Sequence, residues 1–117
     1  TESYRAAKNL FPVVNFTAGY SITGLKAAIV VNTGSDAIVG QWLAANGWTK
    51  STNPATTGTN GTYNYTATTN GAVAQGAQVR FAPQMVLDKN PDANVTATIT
   101  LSWADGSLAP VTITLPK

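Results

Sequence analysis

Cysteine and histidine are both absent from the 117 residues. Without thiols there is no disulfide staple, no thiol nucleophile and no zinc–cysteine site. Without imidazole the commonest general base and the commonest metal ligand are missing. Charge is scarce too, with Asp, Glu, Lys and Arg at 10% of the chain. The cations Arg5, Lys8, Lys26, Lys50, Arg80, Lys89 and Lys117 are scattered. No run of them would grip phosphates, so nucleic acid is not an expected partner. No stretch is long and apolar enough to span a bilayer as a helix. The chain opens on Thr1 rather than Met, which suggests that a signal segment, a longer leading piece or an initiator Met has been removed.

What is present is patterned for strands. Apolar residues make up 44% of the chain, enough for one core in one domain spanning 1–117. With so little charge, the surface has to be built from Thr, Asn, Ser, Gly and Gln. The clearest stretch is Asn94 to Pro116. Val95, Ala97, Ile99, Leu101 and Trp103 alternate with Thr96, Thr98, Thr100 and Ser102. This period of two is that of a half-buried strand. Ala104 to Ser107 reads as a turn, and Val111, Ile113 and Leu115 alternate with Thr112 and Thr114 on the way back. Pro110 has no N–H for a central ladder, so the return strand is expected at an edge or a bulge.

Earlier segments follow the same grammar. Leu10, Phe11, Val13, Val14 and Phe16 form a dense apolar run broken by Pro12. The run reads either as an edge strand of this domain or as part of an arm, 1–16, that adds as a strand to a neighbouring copy. Leu25 to Asn32 reads as a buried strand, because Ile29, Val30 and Val31 are all β-branched. A short helix is expected near 36–46. Ser35 or Asp36 can cap it, the pairs Ile38/Trp42 and Val39/Leu43 stand four apart, and Asn46-Gly47 can end it. Residues 50–60 read as an exposed loop. Tyr63, Tyr65 and Ala67 alternate along the next strand, and Asn70-Gly71 has the composition of a hairpin turn. Ala72 to Ala74 and Ala77 to Ala82 read as the next strands, separated by a bulge or turn at Gln75-Gly76; Pro83 closes the second, and Met85 to Leu87 form a short further strand. Seven or eight short strands with one helix predict a mainly β fold, an antiparallel sandwich of immunoglobulin-like or jelly-roll type.

The chemistry is thin. Asp36 suits a cap and Asp105 a turn. Asp88 and Asp92 share a polar turn with Asn90, which reads as a solvated turn or, alternatively, as a weak calcium site. No carboxylate pair, phosphate loop or activated hydroxyl stands out, so no catalytic residue, metal or cofactor is expected. Four Asn-x-Thr sequons, at Asn15, Asn60, Asn64 and Asn94, are compatible with an extracellular protein.

Residues 24–35 with Ile38 and Trp42, and the run Ala72 to Phe81, resemble bacterial family 2 cellulose-binding modules. The resemblance covers about half the chain and implies a β-sandwich that binds polysaccharide through exposed aromatics. Trp48, Tyr63 and Tyr65 are then the stacking candidates, since aromatic faces suit sugar C–H faces. The chain departs from the family at Thr69, where an exposed aromatic row would begin, and in lacking terminal cysteines.

Three functions compete. The first is a non-enzymatic structural subunit, a pilus or fimbrial filament or a virion surface protein, whose partners are identical copies. Its contacts would run through Leu10, Phe11, Val13, Val14 and Phe16, or through Val111 to Leu115. The second is a glycan-binding module. The third is a secreted adhesin using the loop at 50–60 on a host surface. All three place the chain outside the cell, at a cell surface or on a virion.

Overall fold

In the computed structural model the described residues are 3–34, 39–43, 47–50, 62–69, 72–90 and 92–116. All regular structure among them is β. The strands are β1 (Tyr4–Ala6), β2 (Asn9–Phe11), β3 (Val14–Thr17), β4 (Lys26–Asn32), β5 (Val39–Leu43) and β6 (Trp48–Lys50). They continue with β7 (Thr62–Thr69), β8 (Gln78–Phe81), β9 (Gln84–Leu87), β10 (Val95–Trp103), β11 (Gly106–Ser107) and β12 (Val111–Leu115). Every pairing is antiparallel. One sheet has the order β1-β2-β9-β5; the other runs β11-β10-β4-β7-β6, with β12 also on β10. A third, two-stranded sheet pairs β3 with β8.

The alternation written into the sequence decides what is buried. Ala27, Ile29 and Val31 of β4, Tyr65 and Ala67 of β7, and Val95 to Leu101 at every second position of β10 all face inward. Leu10, Trp42, Met85 and Leu87 are buried from the other sheet, and Val79 and Phe81 from β8. These side chains form one cluster, the filling of an antiparallel β-sandwich. Trp42 of β5 meets Tyr65 of β7 edge-on, with ring centroids 5.5 Å apart, and so ties one sheet to the other.

The helix expected near 36–46 is not formed: Val39–Leu43 is a strand, paired with β9 through Gln41↔Val86 and Trp42↔Met85. Trp42 is buried while its neighbour Leu43 is exposed, a strand alternation. The four-residue spacing was real, but β9 offers a free edge and Val and Trp are good strand formers, so tertiary pairing prevails. The capping and stop residues 35–38 and 44–46 lie outside the described residues, as does the expected loop, of which only Lys50 is described, as the end of β6. Asn70-Gly71 also lies outside them, but the strands flanking it do not form a hairpin. Both edges of β7 are occupied, by β4 and β6, and β8 pairs with β3.

Two irregularities shape the ends. Lys8 to Ile22 lies beside Val73 to Leu87 in a single register. The register begins with Leu87 N–H on the Lys8 carbonyl at 2.8 Å and runs through Leu10↔Met85 and Val14↔Phe81 to Ile22↔Val73. In that register Pro12 stands opposite Pro83. Neither has an N–H, so the ladder is cut there and the ribbon passes from one sheet to another. The second irregularity is in the last hairpin. Trp103 faces Gly106 and Ser102 faces Ser107, while Ile99 faces Val111. Leu108, Ala109 and Pro110 thus oppose only Thr100 and Leu101, a bulge at the expected proline.

Candidate functional site

The apolar run near the start of the chain is built into its own domain. Leu10 is 0% exposed and Val14 is also in the core, while Phe11, Val13 and Phe16 are half-buried. Phe11 stacks on Tyr4 across the β1–β2 hairpin at 4.5 Å. Phe16 stacks on Trp103 at 6.0 Å. The Ser3 hydroxyl accepts the Val13 N–H at 2.8 Å and lies 3.3 Å from the Val13 carbonyl, so this side chain satisfies backbone groups beside the proline cut.

Two of the three proposed sugar-stacking aromatics are core residues. Trp48 is 9% exposed, donates its Nε1–H to the Arg80 carbonyl at 3.1 Å and packs on Phe81 with centroids 4.7 Å apart. Tyr65 is 1% exposed, against Trp42. Their faces are taken up by protein, which corrects the expectation that they form a platform. The side chain of Tyr63 lies outside the described residues. Beside Trp48 is a shallow depression of ≈ 260 Å³ lined by Leu25, Thr69, Val73, Gln78, Val79 and Arg80 among others. Its described lining carries no carboxylate, and the guanidinium of Arg80 cannot serve as a base.

The turn after β9 is tied down by a cation from the protein itself. Arg5 donates to the Ala93 carbonyl at 2.8 Å and to Asn90 Oδ1 at 2.6 Å. A guanidinium at these oxygens repels a calcium ion. No group of three metal-ligating side chains occurs among the described residues.

Like β5, β12 lies at the edge of a sheet. Among the described residues β12 has a partner on one side only, β10. It is uncharged, five residues long and bounded by Pro110 and Pro116. Val111 is 42% exposed, Thr112 and Thr114 are exposed, Ile113 is half-buried and Leu115 is buried. Unpaired backbone N–H and C=O groups along such an edge are a template for another strand.

One cluster escaped the sequence reading. Trp103 donates its indole N–H to the Tyr20 hydroxyl at 2.9 Å, and Tyr20, 47% exposed, meets it edge-on beside Phe16. The signal was Gly106, which faces Trp103 in the register and leaves room for the indole to lie over bare backbone.

No family model and no curated protein matches the chain. Among solved structures it is similar to an uncharacterised protein from Nocardia farcinica whose crystal structure is described as revealing an immunoglobulin-like fold. The identity is 19%, over 87% of this chain and 72% of that one, with a TM-score of 0.44. Among the described residues no helix is long and apolar enough to cross a membrane.

Proposed function

We propose that this chain is a non-enzymatic structural subunit of an extracellular or virion-surface assembly, joined to identical copies through strand contacts. The observation that carries the reading is the β12 edge, which bears no charged side chain and, among the described residues, is paired on one side only. The low overall charge, 10% of residues, supports it, since close-packed copies then carry little mutual repulsion. Strand addition would use Val111 to Leu115. Leu10, Phe11, Val13, Val14 and Phe16 are already engaged within their own domain.

The test is light scattering with negative-stain microscopy of the native protein, beside Val111→Lys. Val111 is 42% exposed and shares the inward face with its partner Ile99, so the substitution should cost about 1 kcal/mol and leave the domain folded. Regular multimers of the native chain that Val111→Lys disperses are expected. A clean monomer at high concentration would overturn the reading. In that case the exposed Tyr20 with Trp103 favours the glycan-binding alternative, tested by retention on insoluble cellulose or chitin.

A further inference from the structure

The proline pair separates a small unit from the rest of the molecule. On one side of it lies the β1–β2 hairpin, Ser3 to Phe11, closed by a two-residue turn at Ala7-Lys8. A hairpin of this size is marginal by itself in water, so it depends on what it docks against. The docking is compact and specific. Asn9 and Leu10 pair with Val86 and Met85, and the Lys8 carbonyl accepts the Leu87 N–H. Leu10 is fully buried. Arg5 reaches across to Asn90 and Ala93. The covalent connection from this hairpin to β3 runs through Pro12 and Val13; Pro83 opposite offers it no N–H, and the hydrogen bonds of Val13 go to Ser3 of the hairpin itself, so they travel with it. Pro12 also restricts Phe11 to extended backbone, so the connector is a stiff, straight piece of chain.

We infer that this hairpin is exchanged between copies of the chain, with Pro12 and Val13 as the hinge. The hairpin of one copy occupies the slot beside β9 of its neighbour, and the occupant is therefore residues 3–11 of an identical chain. Each contact that docks the hairpin at home is remade in the neighbour by the same atoms: Leu10 against Met85, Arg5 on Asn90, and Lys8 with Leu87. The balance between closed and exchanged forms then depends on hinge strain and on local concentration, and a multi-copy assembly raises the latter. The inference rests on the reading of the chain as a subunit of such an assembly. It concerns a contact distinct from the β12 edge.

The absence of cysteine makes the test clean. In the double variant Asn9→Cys with Val86→Cys, the register partners of β2 and β9 carry the only thiols. The assembled fraction is oxidised and run on a denaturing, non-reducing gel. Disulfide-linked multimers in that fraction, with only intrachain bonds in the monomer fraction, are the expected result. Assembled material whose disulfides are all intrachain would overturn exchange while leaving the structural-subunit reading in place. Absence of any assembly would overturn both. Should the double variant fail to fold, native chains can be used instead. Light and heavy-isotope chains are mixed before assembly and treated with a lysine crosslinker, and the Lys8–Lys89 link is read by mass. Light–heavy links as the main product support exchange, and links confined to one isotope count against it.

Discussion

Ala7 holds a positive φ of 54° at the tip of the β1–β2 hairpin, where a Cβ is strained. Ala7→Gly removes that strain but adds unfolded-state freedom, so a net gain of about 0.5–1 kcal/mol is expected. The midpoint of a denaturant melt measures it. Gly106 presents the opposite case: a Cβ there would lie 2.9 Å from Trp103 Nε1 and 3.2 Å from the Tyr20 hydroxyl. Since the indole is held by Phe16 and Tyr20, Gly106→Ala should cost about 1–2 kcal/mol. Near-ultraviolet circular dichroism should report the displaced tryptophan. Trp48 distinguishes packing from recognition. As a core residue, Trp48→Ala should lose about 3–5 kcal/mol whatever ligand is offered. A variant that keeps full stability but loses polysaccharide retention would restore Trp48 as a binding residue.

At the scale of elements, legibility followed the number of independent signals. β10 and β12 could be read directly, since alternation, turn chemistry and a proline all pointed the same way. β4 followed from its β-branched trio. β5 could not be read, because Val39, Trp42 and Leu43 satisfy a four-residue stripe as well as a two-residue alternation; what decided between them was the edge of β9, a partner more than forty residues away along the chain. Asn70-Gly71 misled for a related reason: turn chemistry identifies a turn but not which strands it joins. The candidate site was legible in part. Val111 to Leu115 was in view as an edge, whereas the burial of Trp48 and Tyr65 depends on contacts with Phe81 and Trp42 that no local pattern encodes. The slender docking of the β1–β2 hairpin also carries a prediction at this scale. Its amides should exchange with solvent hydrogen faster than those of β4 and β10, in a monomeric sample followed by NMR. Equal protection throughout would mean that the hairpin opens only with the whole domain.

For the whole molecule, composition sets how copies can meet. With 10% charged residues and an uncharged β12 edge, association should depend little on ionic strength, because there are few ion pairs for salt to screen. Light scattering between low and physiological salt should show the same multimers, and sulfate should promote them by favouring burial. Dispersal by modest salt would point instead to contacts through the scattered Lys and Arg.

The pairing of Leu10 with Met85 has a consequence in time. A ribosome makes residues 3–11 well before β9 exists. At ~5–20 residues per second, Leu10 waits on the order of ten seconds for its slot. Through that interval the hairpin has no β9 to dock on, so Leu10 stays uncovered until the later strand emerges.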